Sequence, residues 1–514
     1  MSDLPPEMLD SQTPAEVIVT DVAPPRITDP TLGVPLGPPP VGAQPVPANP
    51  MNPLVTVGDS LTHGLSSGAV FHTGLSWPAQ VATALGTTSF TFPSYGGPID
   101  GLPLNIEKVA RRLQDRFGTG MSWWEKLESP KELQDIFDEN EDYWERGPGS
   151  EPPAIDVRYQ NLGIYGWDLR DALSYTAARA AALAGVNVDD SIAGVKPDHD
   201  NDIAASSVLA PFGPDATQLS AAAWHGIHGG IDTLVVALGA NNALDAVVSK
   251  RVSWSGDGFD RLDAKDAYNV WKPSHFAAEY ALVVGAVKAI TARRVILTTV
   301  PHVTIAPMAK GVNPADPGKK WQPGSRFFPY YTDPWIDDAS FRPDKHRHLT
   351  HQQARAIDSA IDQYNTTITS AVGQARTEGR DWYVMDLCGL LDSLAYRRFD
   401  DDPLAAKRND WVPYVLPTPI AMLDTRFFLS NNTGRIQGGL FGLDGIHPSI
   451  TGYGIVAQEV LDVLAVAGAT PHTIDFAALL QQDSLNAQPP ALVQDMLEIL
   501  APFATALVSR SNAG

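Results

Sequence analysis

The chain reads as an α/β protein, with a doubly wound, three-layer arrangement around a sheet of about five parallel strands and large insertions forming a cap. Three observations predict this. Strand candidates recur at 54–57, 155–160, 233–238, 295–300 and 382–386, and 233–238 is continuously apolar, as expected of a strand buried on both faces. Helix-length stretches fall between them, notably 350–376, which is the alternation of a parallel sheet with crossover helices. With 514 residues, 44% of them hydrophobic, the chain can bury a large core. The wide spacing of its informative segments favours one elaborated domain over several small ones.

Residues 1–50 are proline-rich and aperiodic, so they read as an extended arm, either wrapped over the domain or mobile. The domain itself is expected over 51–470, with insertions at about 69–153, 243–292, 301–349 and 388–440. These insertions carry Trp123, Trp124, Trp144, Trp254, Trp271, Trp321, Trp335 and the run Phe327-Phe328-Pro329-Tyr330-Tyr331. Such aromatics either line a pocket or staple irregular loops to the core; any single one is more often a staple, while together they point to a capped, restricted site. The apolar stretch 454–467 is interrupted by Gln458, Glu459 and Asp462 and is short for a bilayer, so it reads as an amphipathic helix on the sheet. A helical tail is expected over 471–514, with its last helix near 491–509.

A net charge of -22 disfavours nucleic acid and anionic membranes as partners and favours uncharged ligands. The lone Cys388 rules out an intramolecular disulfide framework. The start, Met1-Ser2-Asp3-Leu4-Pro5-Pro6, lacks a basic and an apolar region, so cytoplasmic residence is the default expectation, with export by another route left open.

Chemistry concentrates in four short segments. Gly58-Asp59-Ser60-Leu61 ends the first strand candidate and places a serine where the chain must turn, at the sheet edge where open α/β proteins build their sites. A serine hydroxyl needs a base to take its proton and a partner to orient that base. Asp444-Gly445-Ile446-His447-Pro448 supplies both on one loop, Asp444 fixing the tautomer of His447. An oxyanion needs donors, and two segments offer them: 161–166, where Gly166 lets the backbone come close, and 239–242, where Asn241 emerges at the same edge as Ser60.

These four segments, in this order and each after its own strand candidate, resemble the blocks of the GDSL, or SGNH, hydrolase family. The resemblance implies a flavodoxin-like sheet, Ser60 as nucleophile, Asp444 and His447 as the rest of a triad, and an oxyanion hole made by Ser60, Gly166 and Asn241, with Gly163 a lesser alternative to Gly166. No cofactor and no metal are implied. Asn242 departs from the family, which usually has Asp there. The expected activity is hydrolysis of carboxylic esters, from small molecules or lipids, through an acyl-enzyme on Ser60. A carbohydrate acetyl esterase of the same family, or a silent binding or assembly protein retaining the fold, are the alternatives.

Three other motifs are weighed and set aside. Gly64-Leu65-Ser66-Ser67-Gly68 fits the Gly-x-Ser-x-Gly elbow but lacks the strand that elbow needs immediately before it. Asp198, Asp200 and Asp202 alternate as in an EF-hand, but Ile203 stands where the turn glycine belongs, so the segment reads as an acidic surface loop, its ion binding left open. His346, His348 and His351 precede a long helix whose capping box is Thr350 with Gln353, which reads as a crowded, solvated helix start, not a zinc site.

Overall fold

The computed structural model describes residues 9–40, 45–120, 123–151, 157–184, 196–322, 325–395 and 412–500. Four parallel strands form the central sheet in the order Asn52–Gly58, Ile231–Ala237, Ala292–Thr298 and Trp382–Met385. The strands are in register along their length: Gly58 lies opposite Ala237, Val236 opposite Leu297, and Thr298 opposite Met385.

Successive side chains of a strand point to opposite faces, and both faces here are apolar. Val55, Val57, Leu234 and Val236 pack with the helices Gln218–Ile227, Pro273–Ala289 and His351–Thr377. Leu54, Val235, Ile296 and Tyr383 pack with Trp77–Ala84, Leu387–Leu394 and Ile450–Val466. Each fully buried Val or Leu contributes about 1.5–3 kcal/mol, which is why these runs carry no alternation. The protein is thus a mixed α/β chain with helices against a four-stranded parallel sheet.

Among the described residues the expected fifth strand is represented by one bridge, just past its end. Asn161 pairs with Thr56 in parallel, and the chain follows the outer edge of Asn52–Gly58 through Thr56 N–H to Gln160 O at 2.9 Å, Leu162 N–H to Thr56 O at 2.8 Å and Ile164 N–H to Gly58 O at 3.1 Å. Residues 155 and 156 of that expected strand lie outside the described residues. Asp156, Arg158 and Gln160 interrupt its apolarity, which suits a peripheral segment better than a strand buried on both faces.

The long helix begins where the capping box places it. Thr350 Oγ1 accepts from Gln353 N–H, and Gln353 returns a bond to Thr350 N–H. Ile450–Val466 lies on the sheet with Val460, Leu461 and Leu464 buried and Asp462 exposed, the amphipathic arrangement its polar interruptions predict. The final helix is described over Val493–Leu500; the rest of the expected span lies outside the described residues. Among the described residues no helix is long and apolar enough to cross a membrane.

Over residues 17–34 the proline-rich arm lies along the domain. Val17 and Val19 are buried, Thr20 N–H donates to Ser359 Oγ at 3.0 Å, Arg355 Nε donates to Asp21 at 2.6 Å, and Ile27 N–H donates to Asp386 at 2.7 Å. Val384 on the edge strand donates its N–H to Pro30 O at 2.9 Å, so the arm satisfies part of an otherwise open sheet edge.

Candidate active site

Adjacent strands bring the first two segments together. Because Gly58 pairs with Ala237, Ser60 and Asn241 both emerge just beyond the carboxyl ends of neighbouring strands. Gly58 is needed there by packing: a Cβ would lie 2.0 Å from Thr62 Oγ1 and 2.7 Å from Ala237 O. Asp59 caps the turn Ser60–His63 by accepting from Leu61 N–H, and Gly64 closes it at φ 89°. Ser60 is thereby fixed at a helical N-terminus, 5% exposed.

His447 Nε2 lies 2.8 Å from Ser60 Oγ, and its Nδ1 lies 3.0 Å from Asp444 Oδ2. With Nδ1–H donating to the carboxylate, Nε2 is the acceptor for the serine proton. Asp444 is 2% exposed, and its oxygens take further bonds from Ile446 N–H, His447 N–H and Gly68 N–H, each at 2.8 Å. Burial alone would raise the Asp444 pKa, but His447 and these N–H donors outweigh it and hold the carboxyl below its ordinary range. The loop is itself clamped, by Gly442 N–H to His447 O at 2.8 Å and by Ser449, which caps the Ile450–Val466 helix.

Gly68, which closes the set-aside Gly-x-Ser-x-Gly motif, therefore belongs to the site. Ser66 pairs in a two-residue strand with Ala69, Ser67 Oγ accepts from Leu443 N–H at 3.0 Å, and Gly68 supports Asp444. This short hairpin holds the carboxylate.

Gly166 and Asn241 line one cavity with Ser60, Asp444 and His447. Asn241 Nδ2 donates one hydrogen to Trp167 O at 2.8 Å, which orients the amide and leaves its second hydrogen. Gly166 takes φ 75° and is pressed by Asn201, whose Nδ2 would sit 2.2 Å from an added Cβ and which donates to Tyr165 O at 2.9 Å. Gly163 is placed differently: its N–H is committed to Asn161 Oδ1 at 3.0 Å, and a Cβ there would strike the His63 backbone at 2.3 Å. The geometry separates the two glycines that the sequence left as alternatives. Asn242 is fully buried, and neither side-chain polar atom has a hydrogen-bond partner among the described residues.

His63 braces this loop. It is fully buried, stacked on Tyr165, with Nδ1 accepting from Tyr165 N–H at 3.3 Å and Nε2 at 3.2 Å from Tyr95 Oη. Burial pushes its pKa down to about 3, so it stays neutral and keeps an acceptor at Nδ1.

The acidic run is a correction to the sequence reading. Asp200 and Asp202 sit in the first turn of the helix Asp200–Leu209, 0% and 8% exposed, not in a surface loop. Asp200 accepts from Tyr165 Oη at 3.2 Å and pairs with Lys196 at 3.5 Å; Asp202 accepts from Tyr175 Oη at 2.5 Å and pairs with His199. These carboxylates anchor the helix whose Asn201 presses on Gly166. His346 and His348 bond within their own loop, and His351 stacks on Trp321 at 3.9 Å.

Trp144, Trp271, Phe327, Phe328 and Tyr331 are buried, and among the described residues no tryptophan lines either cavity at Ser60, whereas Phe328, Tyr331 and Trp335 line a larger cavity of ≈ 700 Å³. The side chains of Trp123 and Trp124 lie outside the described residues.

His302 was not singled out by its sequence context. It is buried between Asp392 at Nδ1 and Asp362 at Nε2, both 2.9 Å away, with Cys388 nearby. Burial opposes charge on the ring, but Asp392 and its neighbours prevail and raise its pKa well above the ordinary value. An N–O separation of 2.9 Å is that of an ionic hydrogen bond and is shorter than the about 3.3 Å between two ligands of a tetrahedral zinc. Burial pushes the Cys388 thiol up to about 12, away from a thiolate.

No protein-family model matches this chain, and no curated protein and no solved structure matches it.

Proposed function

We propose that the chain is a serine hydrolase of the SGNH/GDSL type that cleaves carboxylic esters, built on a flavodoxin-like, doubly wound core with its insertions as a cap. The observation that carries this reading is the hydrogen-bonded series Ser60 Oγ, His447 Nε2, His447 Nδ1, Asp444 Oδ2, at 2.8 and 3.0 Å. In the proposed cycle His447 takes the Ser60 proton as Oγ attacks the ester carbonyl. The oxyanion is held by Ser60 N–H, Gly166 N–H and the second amide hydrogen of Asn241. His447 then protonates the leaving alcohol, and water repeats the sequence on the acyl-enzyme.

A fluorophosphonate probe tests the reading directly, because it is attacked only by an activated serine. The intact protein should gain one covalent adduct at Ser60, located by mass spectrometry, and hydrolyse p-nitrophenyl acetate. Ser60→Ala should do neither, and His447→Ala should label far more slowly. Absence of labelling in the intact protein, or equal labelling of all three, would overturn the proposal.

A further inference from the structure

In the mechanism proposed above, Gly166 and Asn241 supply the oxyanion donors beside Ser60, and both depend on one turn. Gly166 is followed by Trp167, whose carbonyl accepts from Asn241 Nδ2 at 2.8 Å. Trp167 is followed by Asp168, which caps the helix Leu169–Ser174. The carbonyl of Trp167 and the N–H of Asp168 belong to one peptide group, planar and trans, so they point in opposite directions and turn together. Asp168 N–H donates to Asp171 Oδ2 at 3.0 Å. A carboxylate thus pins one end of the peptide plane, and the other end aims its carbonyl at Asn241.

Lys265 holds that carboxylate. Its ammonium lies 3.0 Å from Asp171 Oδ2, 3.0 Å from Asp168 Oδ2 and 3.0 Å from Asp266 Oδ1. Three N–H donors meet three carboxylate oxygens, which uses the whole donor capacity of a lysine. The Lys265 side chain is 3% exposed, and those of Asp168 and Asp171 are 2% and 7% exposed. At that burial the two carboxylates of one helical turn repel strongly, and the ammonium they share offsets the repulsion. Lys265 belongs to the short turn Lys265–Ala267 in the 243–292 insertion, outside the four segments that carry the chemistry, and it lines neither cavity at Ser60.

On the basis of the serine mechanism proposed above, we infer that Lys265 is a positioning residue for the oxyanion hole: through Asp171 and the Trp167–Asp168 peptide it fixes the carbonyl that orients Asn241. The path runs from Lys265 Nζ to Asp171 Oδ2, Asp168 N–H, Trp167 O and Asn241 Nδ2. Without the ammonium the two carboxylates move apart, the peptide plane rotates, and the amide of Asn241 loses the partner that sets its direction. Lys265 acts on turnover through that donor alone, at the scale where a misplacement of about 1 Å costs about 10²-fold.

The test is a double-mutant cycle read with p-nitrophenyl acetate. Lys265→Met, checked for folding by circular dichroism, should lower kcat about 10- to 10²-fold with a much smaller change in KM. In the Asn241→Ala background the same change should cost at least about 5-fold less, because the two side chains act through one network. Asp171→Ala should reproduce this pattern, and Asp171→Asn, which keeps an acceptor for Asp168 N–H, should retain more turnover than Asp171→Ala; these two variants carry the cycle if Lys265→Met does not fold. Equal losses in the two backgrounds, a loss confined to KM, or unchanged turnover in the folded variants would overturn the positioning role while fluorophosphonate labelling of the intact protein persists. No hydrolysis and no labelling by the intact protein would overturn the serine mechanism and this inference with it.

Discussion

Asn241 has two amide hydrogens, and the bond to Trp167 O at 2.8 Å uses one. That division of labour makes it the most informative residue to change: the other hydrogen is available to an oxyanion without any search over rotamers. In Asn241→Ala the turnover of p-nitrophenyl acetate should fall about 10² to 10³-fold with a much smaller change in KM, the loss expected when one oxyanion donor is removed. A drop confined to KM would instead assign Asn241 to ground-state binding. The convergence of Ser60, His447, Asp444, Asn241 and Gly166 on one cavity was legible in the sequence because each follows a strand or shares a tight loop. Gly68 was not legible. Its amide meets Asp444 across 376 residues, and a backbone donor leaves no side-chain signature. Asp200 and Asp202 were misread for a related reason: the tyrosine hydroxyls that donate to them come from other segments, so locally they resemble solvated acids.

Among the elements, the strands most evident in sequence are those with both faces buried, while beside the 155–160 segment, interrupted by Asp156 and Arg158, the described residues show a single bridge, at Asn161. The arm shows the opposite difficulty. Its composition says only that it forms neither helix nor strand, yet from Val17 to Val34 it is bonded to the His351–Thr377 helix and the edge strand. Those contacts pair isolated donors and acceptors and leave no period to read. Asp21 is the point at which to test the arm. Arg355 is 0% exposed and meets Asp21 at 2.6 Å. Removing the carboxylate weakens the compensation of a buried guanidinium, which also lies 5.7 Å from the Phe327 ring. Asp21→Ala should destabilise the protein by about 1.5–3 kcal/mol in urea unfolding, the range for hydrogen bonds to charged groups, and Asp21→Asn by less. A loss below about 0.5 kcal/mol, the scatter of ordinary surface changes, would mean that the arm's charge contact contributes nothing.

For the molecule as a whole, distant insertions are tied to the candidate site through buried polar groups, and Lys250 makes the clearest such tie. Its ammonium donates to Val247 O at 2.6 Å and Met308 O at 3.1 Å and lies 3.5 Å from Asp333, which Arg347 also holds. Met308 N–H in turn donates to Gly445 O, between Asp444 and His447, at 2.8 Å. One buried cation thus connects the 301–349 insertion to the loop that presents the imidazole. Burial pushes the Lys250 pKa down to about 8, against the partial support of Asp333. The folded pKa therefore lies below the unfolded value of about 10.4. Below pH 8 the group is charged in both states, and the folded protein bears the full cost of the buried ammonium. Between about 8 and 10.4 the unfolded chain binds more protons than the folded one, so this group's contribution to stability improves as pH rises. Measured against Lys250→Met, which fills similar space without a charge, the intact protein should gain about 1–3 kcal/mol between pH 7 and pH 10.4. Urea unfolding of both proteins across that interval reads the difference and cancels titrations they share. A difference that stays level, or that moves against the intact protein as pH rises, would show that Lys250 keeps an ordinary ammonium in the fold and that the tie to the Gly445 loop costs no desolvation.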